Sequence, residues 1–309
     1  MVKNKSTRET VLLIVGITLF FIFCMVLERY VVCGTNSAAS PPMQTIESDA
    51  GTQDDASLDV IVNTPVTDAI LDTGREDVVL GSTTTAFQSY GRLYSNRARN
   101  IRLATRILNG TVVQPSETFS FNQIVGPRDR EHGFREAPTI INGEMSESYG
   151  GGVCQIASTL FSSVLYSGLT ILETRPHTHY MHYIGPGFDS TVFYDYVDLR
   201  FRNDFNFPIT ILSETNSSNE LTIRILGREI VYNVLVEVQT LLRRRITEQR
   251  ILNENLEPGT QRITDFGTSR MRVRRTITYT PVNPNTTWQS FTIINNINYA
   301  PTPRLVEFH

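Results

Sequence analysis

Three consecutive glycines, Gly150-Gly151-Gly152, run directly into Val153-Cys154-Gln155, and this junction limits the fold more than any other stretch of the chain. Glycines in series adopt backbone angles closed to other residues and let a neighbouring segment or a ligand come close to the main chain. Apolar residues follow at Val153, Ile156, Ala157, Leu160, Phe161, Val164 and Leu165, with Gly168 as a stop. That spacing predicts a core helix from Val153 to about Tyr166. At 100° per residue, Cys154 falls beside Phe161 and Leu165 at the margin of the apolar stripe, with Ser158 and Ser162 just beyond. The thiol is therefore expected at a boundary between core and solvent.

Residues 97–108 place Ile101, Ala104, Ile107 and Leu108 on one face and Arg97, Arg99, Arg102 and Arg106 elsewhere, the pattern of an amphipathic helix ended by Asn109-Gly110. Val112-Val113 and residues 118–122 read as short extended pieces. Strands are predicted at residues 180–184, 190–194, 198–202, 208–212 and 221–226, the last three alternating as a half-exposed sheet does. Helices followed by a meander predict an α+β domain over residues 87–227. From about Ile230 the chain turns to Thr-, Val- and Arg-rich strands with turns at residues 257–260 and Gly267, which predicts a small all-β module over residues 230–309. Arg243, Arg244, Arg245, Arg272, Arg274 and Arg275 give it a basic face, either a solvated strand surface or a contact for anionic polymers.

Upstream, residues 11–27 are unbroken apolar and reach about 20 residues if Tyr30-Val31-Val32 is included, enough for a membrane-spanning helix. Lys3, Lys5 and Arg8 precede the run, whereas Glu47, Asp49, Asp54, Asp55 and Asp59 follow it. The positive-inside pattern therefore leaves the C-terminal bulk outside the cell membrane. The expected organisation is a cytoplasmic tail at 1–10, a transmembrane signal-anchor at 11–32 and a flexible linker at 33–86. A signal peptide cleaved near Ser37-Ala38-Ala39 is the competing reading. A net charge of −3 and a pI near 6.0 provide no attraction for nucleic acid. Cys24 lies in the apolar run and Cys33 just after it, so Cys154 is the sole cysteine of the folded part and no disulfide is expected there.

A helix N-terminus favours thiolate over thiol, and the unpaired N–H groups of its first turn can cradle an oxyanion. A thiol nucleophile also needs a base and a group to orient it. His177, His179 and His182 come from one segment after the helix, and Asp189 follows across Gly185-Pro186-Gly187. The substrate-facing set expected around Cys154 is Gly150, Gly151, Gly152, Gln155, Ser158 and His179. The plainer alternative has Cys154 packing as a small apolar residue, the glycines serving tight packing, and His177 bonding a carbonyl. His177 and His179 with Cys154 or Asp189 could also form a metal set. No second Cys or Glu motif supports that set, so neither metal nor cofactor is expected.

Residues 87–227 resemble the VanW family in order and spacing. The resemblance rests on Ser95-Asn96-Arg97, residues 118–122, Val125-Gly126-Pro127-Arg128, Gly133-Phe134, Ala137-Pro138, residues 150–155 with 158–160, Pro176-His177, Gly187 with Asp189, and residues 198–203. It implies a surface protein of Gram-positive-type bacteria and selects His177 and Asp189 as partners of Cys154. The order Cys, His, Asp is similar to that of papain-like and NlpC/P60-like thiol hydrolases, an analogy of architecture. Residues 256–260 and Gly267 resemble a G5 domain, which implies glycan binding by residues 230–309. The expected function is a membrane-anchored extracytoplasmic protein that acts on or binds peptidoglycan, with the accessory role in glycopeptide resistance that the resemblance implies. Its alternatives are a thiol hydrolase or transpeptidase using Cys154, His177 and Asp189, and a non-catalytic structural surface protein.

Overall fold

Helix α3 (Val153–Ser167) is the element around which the rest is arranged. The computed structural model describes residues 58–62, 77–141 and 144–309, all within one compact unit, Thr45–His309. The expected tail and membrane span over residues 1–32 lie outside the described residues. Among the described residues, no helix is long and apolar enough to cross a membrane.

Every residue of α3 except Cys154 is buried, so the helix is covered on all sides. One side packs on a four-stranded antiparallel sheet of order β2-β10-β9-β3, made of β2 (Val78–Ala86), β10 (Glu220–Gly227), β9 (Ile209–Thr215) and β3 (Thr111–Val113). The approach is close because Gly81 on β2 has no side chain; a Cβ there would lie 2.2 Å from the Ser163 carbonyl oxygen. Hydroxyls also cross this interface, Thr83 to Ser162 and Thr85 with Thr159, each at 2.9 Å. Buried Ser and Thr therefore hold the helix in register on the sheet while Ile156, Leu160 and Val164 fill the core. Truncating Leu160 to Ala would cost about 2–5 kcal/mol, as is usual for a fully buried leucine.

The other side of α3 meets a second sheet of order β1-β11-β14-β15, made of β1 (Leu58–Val62), β11 (Tyr232–Arg243), β14 (Met271–Pro281) and β15 (Phe291–Tyr299). The Tyr279 hydroxyl donates to the Leu165 carbonyl at 2.9 Å, and the Arg275 guanidinium lies over the Phe161 ring. One hydrophobic cluster runs from Ile101 and Phe121 through α3 to Val236, Ile277 and Tyr299. The β-rich segment after residue 230 thus shares its core with the preceding domain. The stretch expected as linker supplies strands β1 and β2, the latter an edge of the sheet beneath α3.

Helix α1 (Arg92–Leu108) begins five residues before the expected start and buries Ala98, Ile101, Ala104 and Leu108. Ile107, placed on that face from the sequence, is exposed. A third sheet, order β4-β8-β7, joins β4 (Thr118–Ser120), β8 (Arg200–Arg202) and β7 (Thr170–Glu173). The short helix α2 (Phe121–Val125) follows β4. Strands β5 (Glu136–Ile141) and β6 (Glu144–Tyr149) form a hairpin that leads into the glycine turn. Strands β12 (Glu248–Leu252), β13 (Gln261–Asp265) and β16 (Arg304–Phe308) form a small sheet of order β12-β16-β13. The molecule is mostly sheet with few helices, an α+β arrangement.

Two expectations fail between β7 and β8. Residues 180–184 and 190–194 are irregular, not strands. Gly185-Pro186-Gly187 turns the chain there, with Gly187 at φ +86°, and bonds such as Thr191 N–H to the Arg175 carbonyl at 2.7 Å tie the segment to itself. Arg275, expected on the basic face, is buried. The alternation of β14 points residues 271, 273, 275, 277 and 279 inward, whereas Arg272 and Arg274 face out.

Candidate active site

The loop between β7 and β8 brings His177 and Asp189 to the N-terminus of α3. Gly152 caps that helix at φ +103°, a left-handed conformation that L side chains rarely adopt. Cys154 Sγ, in the first turn, donates to the Val192 carbonyl at 3.4 Å. The His177 imidazole is near enough for the ring and the sulfur to act on each other electrostatically. His177 Nδ1 lies 2.8 Å from Asp189 Oδ2, which leaves Nε2 to face the thiol. The His177 backbone N–H donates to the same oxygen at 2.6 Å, so one carboxylate fixes both the main chain and the ring.

Asp189 is held from its far side by a residue that sequence reasoning missed. The Tyr299 hydroxyl, at the end of β15, donates to Asp189 Oδ1 at 2.5 Å and accepts from the Gly187 N–H at 2.6 Å. Arg275 of β14 donates to the Gly187 carbonyl and, at 2.9 Å, to Asn295. The Ala300 N–H donates to the Thr178 carbonyl at 2.7 Å. The second sheet therefore clamps both ends of the loop that carries His177 and Asp189.

The electrostatics of the three groups support one another. Burial alone would raise the Cys154 thiol, but the neighbouring His177 imidazole and the Arg128 charge outweigh it and hold the thiol below its ordinary range. Burial works against charge on His177, yet Asp189 and Cys154 raise it to about 9. Asp189 is held below the usual carboxylate range despite burial, chiefly because His177 and Tyr299 donate to it. These directions favour the thiolate and imidazolium forms of the pair, with a carboxylate behind them.

Other residues expected at the site have different work. Gln155 is buried, accepts from Arg97 at 2.7 Å, and donates to Thr85 at 3.0 Å and the Ala86 carbonyl at 2.9 Å, so neither N–H is left for an oxyanion. Ser158 is fully buried; its hydroxyl donates toward the Cys154 and Ser190 carbonyls and accepts from the Ser190 N–H, joining α3 to the loop. His179 turns away to the Ala300 carbonyl at 3.0 Å. Gly151 packs on β5, where a Cβ would lie 2.6 Å from the Ala137 oxygen, and a Cβ at Gly152 would meet Arg97 at 2.9 Å. The glycines thus serve close packing. What remains of the cradle is two amides, Gly152 and Cys154, which have no hydrogen-bond partner among the described residues. No group of three or more His, Cys, Asp or Glu suited to a metal occurs among the described residues.

Arg128, after α2, is the second residue missed. Its guanidinium lies 5.5 Å from the Phe121 ring centroid and 5.6 Å from that of Tyr194, close enough for its charge to act on Cys154. Gly150 makes room for it, since a Cβ there would lie 2.5 Å from the Arg128 Cβ.

Residues 96–226 match the family model described as VanW like protein. The chain carries a VanW-like domain. A Bacillus subtilis (strain 168) protein named uncharacterized protein YoaR is 46% identical over 132 residues, 43% of each chain. The vancomycin B-type resistance protein VanW of Enterococcus faecalis (strain ATCC 700802 / V583) is 34% identical over 115 residues, 35% of this chain and 42% of that one. The chain thus aligns with less than half the length of either relative. Cys154, His177, Asp189 and Arg128 fall inside the VanW-like domain, whereas Tyr299 and Arg275, which brace them, lie beyond its matched span.

Proposed function

We propose that this chain is a thiol-dependent acyl-transfer enzyme, with Cys154 as nucleophile, His177 as acid and base, and Asp189 as the group that orients the imidazole. The reading rests on one observation above all: His177, which acts on the only part-exposed residue of α3, is bound to a buried carboxylate that Tyr299 fixes from behind. A structural cysteine needs no such partner.

In the first half-reaction the thiolate attacks an acyl carbon and forms a C–S bond. As the C–N bond of the amide breaks, His177 passes its Nε2 proton to the departing amine. In the second, water or an amine acceptor gives a proton to His177 and attacks the thioester, the C–S bond breaks, and the thiolate is restored beside the imidazolium. The free Gly152 and Cys154 amides supply donors for the oxyanion formed in each half.

Peptidoglycan stem peptide is the proposed substrate class, and the outer face of the cell membrane, reached through a span over residues 11–32, the proposed location. The positive-inside pattern before residue 33 supports the location. The relative named for vancomycin resistance supports the wall. A second reading, wall binding without chemistry, draws on Phe193 and Tyr196, exposed and with ring centroids 5.3 Å apart, next to Val192 at the thiol. Incubation of the full chain with purified peptidoglycan separates the two. The enzyme reading expects an acyl adduct on Cys154 by mass spectrometry and altered wall fragments, both lost in Cys154→Ala. Retention on the wall with neither adduct nor altered fragments would establish the binding reading instead.

A further inference from the structure

An arginine whose guanidinium nitrogens are shielded from water and have no counter-ion needs an explanation, because removing a guanidinium from water without hydrogen bonds is costly. Arg128 Nη1 and Nη2 are shielded from solvent and have no hydrogen-bond partner among the described residues. The nearest acidic groups do not neutralise them. Asp198 acts on the guanidinium only through space, since its carboxylate oxygens are taken by Ser120 at 2.5 Å and by the Asn122 and Leu199 amides at 2.9 and 2.8 Å. Asp195 is exposed and makes no ion pair with it. What surrounds the guanidinium is aromatic, Phe121 and Tyr194, and the Cys154 sulfur comes first among the groups that its charge reaches, ahead of Asp198 and Asp195.

The position is specified by several elements. Pro127 and Gly126 end α2, Gly150 clears the way for the side chain, and Asn122 holds the 193–197 turn through the Phe193 and Val197 carbonyls at 3.4 and 3.0 Å. That turn carries Tyr194 over the guanidinium, and Val192, just before it, touches the sulfur. A planar cation with two free forked nitrogens matches a carboxylate better than any neutral group.

We infer that Arg128 is the anion-binding residue of this site and pairs with a carboxylate carried by the substrate a few atoms from the carbon that Cys154 attacks. This rests on the thiol reading above and narrows it: the preferred acyl compounds bear a free carboxylate beside the reacting group, as a peptide does at its C-terminal residue. Displacement of the Tyr194 ring opens the guanidinium to that carboxylate. A positive charge held ready beside the thiolate selects anionic substrates over neutral ones of the same shape.

Iodoacetate and iodoacetamide test this directly, since both alkylate sulfur with loss of iodide and differ in a carboxylate against an amide. The protein is the full chain carrying Cys24→Ser and Cys33→Ser, so that Cys154 is the one thiol. The expected result is alkylation by iodoacetate that saturates with concentration, is competed by propionate, and exceeds the iodoacetamide rate by about tenfold, the size of one charge-assisted pair. Arg128→Met is expected to remove the preference, and Arg128→Lys, which keeps the charge but not the fork, to retain only part of it. The ratio of the two rates cancels any change in thiolate fraction. Saturation and competition in the parent protein need no variant to fold. Fast alkylation by both reagents at equal rates, unaffected by propionate, would overturn the anion site while leaving the thiol reading intact. Equal retention of the preference in the Lys variant would overturn the forked pairing. Alkylation by neither reagent faster than in the unfolded chain would remove both.

Discussion

Among the described residues, two histidine–aspartate pairs share the same local design. His132 Nδ1 lies 2.7 Å from Asp129 Oδ1, and its backbone N–H donates to that oxygen at 2.9 Å. His177 and Asp189 repeat this at 2.8 and 2.6 Å. The first pair is about half exposed on both sides, with side-chain exposures of 49% and 47%; the second stands at 15% and 2%. Only the second has a thiol on one flank and a tyrosine on the other. A short contact between an imidazole and a carboxylate therefore says little by itself. Burial and the third and fourth partners give the inner pair its chemistry, since water screens the outer one.

The comparison can be broken most forcefully at Asp189. Asp189→Asn leaves an imidazole without its carboxylate in a buried position, and a loss of about 3–5 kcal/mol in denaturant unfolding is expected, the usual result of removing one partner of a buried pair. His177→Gln tests the flank facing the thiol. Alkylation of Cys154 by iodoacetamide at pH 7 is expected to fall, by about tenfold, as the thiol loses the imidazole that holds it below its ordinary value near 8.5.

The same substitution carries a pH signature. His177 is raised to about 9 from an ordinary value near 6.5, so its contribution to stability is complete below about 6.5 and is lost as pH rises through about 9. The stability difference between the parent and His177→Gln should therefore shrink across that window. A difference that grew with pH would reverse the assignment. Tyr299→Phe removes one hydrogen bond to Asp189 and should cost about 1–3 kcal/mol in denaturant unfolding. The smallest effect belongs to the outer pair: Asp129→Asn should leave both the thermal midpoint and the Cys154 alkylation rate unchanged. A clear loss of either would mean that the two pairs are not separable.

How much of this could be read beforehand depends on sequence distance. The glycine cap, the core helix and the marginal placement of Cys154 all follow from local spacing, and the structure reproduces them, with Cys154 the single residue of α3 that is not buried. His177 and Asp189 are near each other in sequence and are joined by a recognisable Gly-Pro-Gly turn. Tyr299 is 110 residues from the carboxylate it binds, and no local pattern announces that pairing. Arg275 left a trace in the alternation of β14, where it shares parity with Val273 and Ile277. Gln155 and Ser158 are near the cysteine in sequence but not near solvent, because a helix covered on every side buries its polar residues too. Arg128 stood in the quoted Val125-Gly126-Pro127-Arg128 segment, but its significance lies in having no partner, which only coordinates reveal.

The central claim is that His177, backed by Asp189 and Tyr299, holds the Cys154 thiol below its ordinary pKa. Titration of the thiolate absorbance in the full chain with Cys24→Ser and Cys33→Ser tests it most directly. The account predicts a midpoint below the ordinary cysteine value of about 8.5 that moves up in His177→Gln. A parent midpoint at or above that value, unchanged by the substitution, would contradict it.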